Sequence, residues 1–161
     1  MTFFIRDVGI AVRRRKARGS GLIAGLAALV CAPVWSAEHL ELRLGGHPLQ
    51  VEVAATPAER ATGLMGRAPL RADEGMLFVF PGDDTRCLWM RDTPSPLAAA
   101  FISAKGEILN VTEMQPLTDT HHCSRQPARF ALETAAGWFT QRGLSAGMTV
   151  QGLDAVSPAL R

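Results

Sequence analysis

Four polar residues lie beside apolar residues at the edges of strands or turns that the sequence predicts: Arg67, Asp92, Thr93 and Glu133. Polar groups that converge in an apolar wall can fix the orientation of a small polar ligand, so these four are candidate ligand-binding residues of a cleft. The other interpretation is a buried arginine–carboxylate network that fastens loops to the sheet, because buried charges need partners. The network is the more ordinary role for such residues, and both interpretations stay open.

Soft metal ligands are concentrated in a polar loop at His121, His122 and Cys123. Together with Met90 and Met114 they would suit Cu(I), and a histidine beside a reduced cysteine could activate a nucleophile. Adjacent histidines have no defined metal spacing, and no nucleotide-binding loop, zinc-protease motif, nucleophile elbow or pair of catalytic carboxylates can be read. We therefore predict no catalytic residue and no cofactor, with a metal site at the two histidines only as an alternative.

The first 36 residues differ in composition from the rest of the chain. A cationic block at 13–18 is followed by an apolar run at 21–30, which is the order typical of a signal peptide. The run is shorter than the ~20 residues that a membrane-spanning helix needs. We expect cleavage after Ser36, which would leave 37–161 as a single β domain in the periplasm or secreted, without a stable membrane anchor.

Removal of this segment changes both the charge and the cysteine count. The whole chain has a net charge of +2, but residues 37–161 contain 11 basic and 14 acidic side chains, a net charge of −3. A mildly acidic domain without a Lys/Arg stripe is a poor nucleic-acid binder, so the expected partner is a small molecule or another protein. Cys87 and Cys123 remain as a pair in a compartment where disulfides persist, which predicts a disulfide between them.

Hydrophobic periodicity predicts the elements that position these side chains. Apolar and polar residues alternate over 40–53, interrupted by two glycines, which predicts a β-hairpin. Thr56 with a glutamate three residues later predicts a capping box at the start of a short helix. The apolar run at 76–80 is expected to pair antiparallel with 85–90, and 97–114 reads as a second hairpin.

The second half of the chain is predicted to contain a surface loop, a strand, a short helix and a last strand, at 115–127, 128–134, 135–142 and 148–153. About eight short strands and two short helices predict a mainly β fold, a β-rich α+β arrangement. We expect an antiparallel jelly-roll or barrel-like sandwich, because closure removes exposed strand edges. Trp89 and Trp138 lie in apolar segments and are expected in the core.

Four motifs in these segments resemble a known family. They are GLMGR at 63–67, GMLFVF at 75–80, LWMRDTPSPL at 88–97 and PARFALETAAGW at 127–138. In this order they are similar to the domain of unknown function 192 family (DUF192) over about 40–153. The resemblance implies a small, mainly β fold of the jelly-roll or barrel kind, often exported in bacteria, with no established biochemical activity.

The chain departs from the family pattern at three positions. Ala98 stands where the family usually has an aspartate, Asp92 where it usually has an asparagine, and Met148 where a late turn usually has an aspartate. A site that depends on the missing aspartate is therefore not expected here. The favoured interpretation is an exported binding or accessory module for a small polar ligand; the alternatives are a periplasmic copper-binding protein and an enzyme of unrecognised mechanism.

Overall fold

A computed structural model describes residues 39–160 of the chain. The expected export segment 1–36 lies outside the described residues. The elements in chain order are β1 (His39–Leu44), β2 (His47–Ala54), α1 (Pro57–Thr62), β3 (Glu74–Asp84), β4 (Cys87–Leu88), β5 (Leu97–Ile102), β6 (Ile108–Met114), β7 (His122–Cys123), β8 (Ala128–Ala135), α2 (Trp138–Gln141) and β9 (Val150–Gln151), followed by a 3-10 turn at Leu153–Ala155.

Seven strands form one sheet in the order β6-β5-β8-β3-β2-β1-β9, and β4 pairs with β7 in a separate two-stranded sheet. The large sheet curls into a half-barrel, which confirms the mainly β, barrel-like fold. The described part of the chain contains one strand more than the sequence predicted, because His122–Cys123 pairs as β7 inside the expected loop 115–127.

The first hairpin forms as its sequence predicts. β1 and β2 pair antiparallel, with Leu44 opposite His47. The two residues between them, Gly45 and Gly46, have φ of 55° and 85°. A two-residue turn with positive φ at both positions matches the twist of the flanking strands and favours glycine.

The partner predicted for the apolar run at 76–80 is wrong. β3 pairs parallel with β2 on one side and antiparallel with β8 on the other. A parallel pair needs a long crossover connection, and residues 55–73, which include α1, provide it. The segment 85–90, which was expected beside this run, instead supplies β4, whose partner is β7.

The capping box at the start of α1 is present as predicted. The hydroxyl of Thr56 accepts a hydrogen bond from the backbone N–H of Glu59, and the Glu59 carboxylate accepts from the backbone N–H of Thr56. The Arg60 side chain on this helix donates to the backbone carbonyls of Ala55, Val79 and Leu160. These bonds fix α1 against the sheet.

Both faces of the sheet are covered, which is why β5 is buried at every position. One face packs against α2, where Trp138 and Phe139 are buried, and Trp138 Nε1 donates to the carbonyl of Ala72 at 2.9 Å. The expectation for Trp138 is therefore confirmed, although α2 is shorter than predicted. The opposite face, with Met76 and Phe101 among its buried residues, carries the candidate site.

Candidate functional site

A row of side chains crosses the second face of the sheet, as defined by the residues that pair across neighbouring strands. The row consists of Glu52 on β2, Met76 on β3, Glu133 on β8, Ala99 on β5 and Thr112 on β6. Residues directly opposite one another project from the same face. Glu133 is therefore the middle member, between two apolar side chains.

The side chain of Glu133 is buried, and it has no partner among the described residues. The residue is 4% exposed. Within residues 39–160 it forms no ion pair and its side chain makes no hydrogen bond. Burial alone raises its pKa from 4.5 to about 8. The group is therefore protonated at neutral pH.

A small pocket leads from the surface to Glu133. Its volume is about 80 Å³. Exposed residues at its rim include Thr62 and Trp89, and buried residues such as Leu64 and Thr93 lie deeper. The full lining is Arg60, Ala61, Thr62, Gly63, Leu64, Met65, Phe78, Cys87, Leu88, Trp89, Thr93 and Glu133.

The inner wall depends on a glycine at the end of α1. Gly63 has φ of 48°, and a Cβ there would lie 3.1 Å from the ring of Phe78. A larger residue would be strained and would push against the aromatic floor of the pocket. The first glycine of the GLMGR motif thus has a structural reason in this chain.

The outer wall is built around Trp89. Contrary to the expectation that it lies in the core, this residue is 37% exposed. The guanidinium of Arg91 lies 3.9 Å from the centre of its ring, and His121 stacks on the indole at 5.8 Å. Arg91 also pairs with Asp119 at 2.8 Å. The loop that carries Asp119 and His121 therefore holds Trp89 in place at the rim.

The predicted disulfide between Cys87 and Cys123 is present and joins β4 to β7. Cys87 also lines the pocket. The disulfide thus fastens one wall of the pocket to the loop that supports Trp89.

Of the four candidate ligand-binding residues, the structure brings Glu133 and Thr93 together at the pocket. Thr93 is 5% exposed, and its hydroxyl donates to the carbonyl of Arg91 at 3.3 Å. Asp92 is exposed and does not line this pocket. Its φ is 54°, and its backbone carbonyl accepts a hydrogen bond from Gly66 at 2.8 Å.

Arg67 lies outside the Glu133 pocket. Both terminal nitrogens of its guanidinium donate to the carboxylate of Glu52. These hydrogen bonds lower the pKa of Glu52 and raise that of Arg67. The proposed buried network of Arg67, Asp92 and Glu133 is therefore wrong, because Arg67 pairs with a carboxylate that the sequence did not single out.

The histidine loop has other contacts in the structure. His122 Nδ1 lies 3.4 Å from the hydroxyl of Thr112, His121 stacks on Trp89, and Cys123 is in the disulfide. In the described part of the chain, no group of three or more His, Cys, Asp or Glu residues could hold a metal ion. No helix between residues 39 and 160 is long and apolar enough to cross a membrane.

The curled sheet and its pocket define a small half-barrel domain with a buried carboxyl group. The family model of DUF192, described as Uncharacterized ACR, matches residues 40–152, and the chain belongs to this family. The resemblance read from the four motifs is confirmed. No curated protein matches the chain.

Two solved structures are similar to this chain. One is a protein of Sinorhizobium meliloti 1021 described as a candidate transcription regulator, with 33% identity and a TM-score of 0.70 over 73% of this chain and 95% of that one. The other is a protein of unknown function from Novosphingobium aromaticivorans DSM 12444, with 29% identity and a TM-score of 0.70 over 83% and 99%.

Proposed function

We propose that this protein is an exported binding or accessory module that holds a small polar ligand in the Glu133 pocket. The observation that carries the proposal is the buried Glu133 side chain, which has no partner among residues 39–160 and lines a pocket that reaches the surface. Such a group lowers the stability of the fold, and proteins retain features of this kind mainly at functional sites. A ligand that bonds to the carboxyl group would offset the cost of its burial.

In this proposal Glu133 fixes the orientation of the ligand and Thr93 supplies a second polar group. Leu64, Leu88 and Phe78 provide the apolar wall. A few polar groups within an apolar lining are typical of small-molecule sites. Asp92 and Arg67 act indirectly in this scheme, because they hold the turn and the strand beside the pocket.

Export is supported by the cationic and apolar order of residues 13–30 and by the disulfide. The test is the intact mass of the protein recovered from the periplasm of a bacterial host. We expect a product that begins near Ala37. A periplasmic product that still contains residues 1–30, or a protein confined to the cytoplasm, would contradict this part of the proposal.

Ligand binding is tested by native mass spectrometry of freshly purified protein and by NMR titration with small polar compounds. We expect the parent protein to carry a co-purified compound or to bind an added one. A Glu107→Gln control, which changes an exposed carboxylate outside the pocket lining, should behave in the same way. The Glu133→Gln variant should bind more weakly. If compounds of every charge class leave the pocket resonances unchanged, the proposed function is wrong.

The charge of residues 37–161 does not favour a nucleic-acid partner. Residues 37–161 have a net charge of −3. Nucleic-acid binding depends on neutralising phosphates with clustered Lys and Arg side chains. A small-molecule ligand fits the charge and the pocket better.

A further inference from the structure

The charge balance of the pocket is unusual. Arg60 is the other charged residue in its lining, and its guanidinium donates to three backbone carbonyls. Desolvation alone accounts for the raised pKa of Glu133, so Arg60 does not compensate the carboxyl group. The disulfide-bonded Cys87 does not titrate. A negative charge on Glu133 would therefore lack a counter-charge among the described residues.

The neighbouring strands add no compensating charge. Met76 and Ala99 flank Glu133 in its row, and Phe78 of β3 also faces the pocket. Glu52, beyond Met76, is already paired with Arg67. Among the described residues, no cation is therefore paired with the Glu133 carboxyl group.

Three classes of ligand can be compared on this basis. An anion could accept a hydrogen bond from the protonated carboxyl, but it would meet a second negative charge in an apolar setting whenever Glu133 ionised. A neutral amide could accept one hydrogen bond from the protonated carboxyl, which has a modest net value. A cation would let the carboxyl ionise, and the ion pair would be strong because the surroundings are apolar.

The size of the pocket narrows the class of cation. Its volume of about 80 Å³ is roughly half that of a cavity of ~150 Å³ that admits benzene. A quaternary ammonium group is best held by free aromatic faces, but the Trp89 ring already contacts Arg91 and His121. A primary ammonium group is compact and has three N–H donors. The Thr93 hydroxyl, which donates to the Arg91 carbonyl, keeps its lone pairs to accept one of them.

We propose that the Glu133 pocket binds a primary ammonium group on a short alkyl chain, with the Glu133 carboxylate as its counter-ion and the Thr93 hydroxyl as a second acceptor. This inference rests on the proposed function, because it names the ligand class of the same pocket. Binding transfers the carboxyl proton of Glu133 to solvent, and the ammonium group keeps its own protons. The apolar side chains of Leu64, Met65 and Leu88 contact the alkyl chain.

The test is an NMR titration of the purified, disulfide-bonded protein with three probes of similar size: methylammonium, acetamide and acetate. We expect methylammonium to shift the resonances of Trp89 and of the pocket methyl groups. Since the ionised fraction of Glu133 rises from about 1% at pH 6 to about 50% at pH 8, the affinity should increase about 50-fold over that range. Calorimetry near pH 6.5 should detect release of about one proton per bound cation.

Variants test the assigned residues. Glu133→Gln should weaken methylammonium binding at pH 8 by at least about tenfold and abolish its pH dependence. Thr93→Val should weaken binding by a smaller factor and keep the pH dependence, and Glu107→Gln should bind as the parent does. Unchanged affinity of Glu133→Gln would overturn the inference.

Two further probes identify the source of the ammonium group. n-Butylammonium and N-acetyl-lysine amide carry the same ammonium-terminated four-carbon chain, one as a free amine and one as a lysine side chain. Tighter binding of n-butylammonium supports a free amine, and tighter binding of the lysine derivative supports a lysine side chain as the source of the same group.

The outcomes also separate this inference from the proposed function. If acetamide or acetate shifts the pocket resonances and the ammonium probes do not, the cation inference is overturned while the pocket remains a polar-ligand site. If none of the probes has an effect at any pH, both are overturned.

Discussion

Two glutamates in one row of the sheet have opposite environments. The side chain of Glu52 is 25% exposed and accepts hydrogen bonds from Arg67, which lower its pKa. Glu133 lies two strands away on the same face, beyond Met76. It is 4% exposed, and burial raises its pKa to about 8.

Position in the sheet, and not residue type, therefore decides what a glutamate contributes to this fold. The turn after α1 brings Arg67 to Glu52 from outside the sheet. Glu133 instead has Met76 and Ala99 beside it and a pocket in front of it, so no cation of the described chain reaches its carboxyl group. The first glutamate forms an ion pair at the surface, and the second lines a pocket without a paired cation among the described residues.

The strongest predicted change is the pH dependence of the free energy of unfolding that Glu133 causes. Its folded pKa of about 8 lies above the value of 4.5 expected in the unfolded chain. The folded state therefore holds a proton that the unfolded chain releases. The stability that this proton contributes is complete below pH 4.5 and is lost as the pH rises to about 8. The difference corresponds to on the order of 5 kcal/mol. Urea denaturation between pH 4.5 and 8.5 measures it.

The Glu133→Gln variant is the control for this prediction. Over the same pH range its stability should lack the loss, and at pH 8 it should exceed that of the parent. Parallel pH profiles for parent and variant would show that Glu133 is solvated or paired, as Glu52 is.

The second largest effect comes from the disulfide that fastens the pocket wall. The double variant Cys87→Ser/Cys123→Ser should lose roughly 3 to 4 kcal/mol, because the bond joins residues separated by 36 positions. Water should then reach Glu133 more easily, and its pKa should fall towards 4.5. Urea denaturation at pH 5 and pH 8 tests both the loss of stability and the fall in the pKa. The difference in unfolding free energy between these two pH values should be smaller in the variant than in the parent. An undiminished difference would show that the disulfide does not keep water from the carboxyl group.

A smaller effect is expected at Asp92, which lies between the Glu133 pocket and the Glu52–Arg67 pair. Its backbone carbonyl accepts a hydrogen bond from the backbone N–H of Gly66. Gly66 lies between Met65, which lines the pocket, and Arg67, which pairs with Glu52. Asparagine and aspartate tolerate the left-handed backbone better than alanine does. Asp92→Ala should therefore cost about 1 kcal/mol in thermal melts and Asp92→Asn almost nothing. Equal melting temperatures for the two variants would contradict this account.

The smallest effect is expected at the ion pair between Glu52 and Arg67, outside the Glu133 pocket. Glu52→Gln removes the charge that pairs with Arg67, but this pair is partly exposed and screened, so the loss should stay below about 1 kcal/mol. Because the pKa of Glu52 is lowered in the folded state, its ionised carboxylate stabilises the fold above pH 4.5. This stabilisation is lost as the pH falls through the folded pKa. Thermal melts of Glu52→Gln and the parent at pH 3 and pH 7 measure the loss of stability, with Glu41→Gln as an exposed control. A larger loss at pH 3 than at pH 7 would contradict the sign.

Much of the fold was predictable from local patterns. The alternation at 40–53 determined the first hairpin, because a half-buried strand repeats every two residues. Thr56 and Glu59 determined the start of α1, because a capping box involves only neighbours in the chain. The cysteine pair left after residue 36 indicated the disulfide. Each of these signals is contained in a short segment or in the composition.

The pairing of the central strands could not be predicted in the same way. Residues 76–80 are apolar on both faces and carry no signal for a parallel or an antiparallel neighbour. The crossover through 55–73 placed β2 beside β3, and β8 took the position expected for residues 85–90. Partner choice between such strands depends on contacts that are distant in the sequence.

Local patterns and composition were sufficient to predict a β-rich DUF192 domain with a disulfide, and they indicated Glu133 and Thr93 as polar residues within apolar segments. Three features depend on the folded chain: no cation of the described residues pairs with Glu133, Arg67 pairs with Glu52, and Trp89 lies at the rim of the pocket. Burial and charge pairing depend on neighbours from several elements, and the chain brings these neighbours together only when it folds.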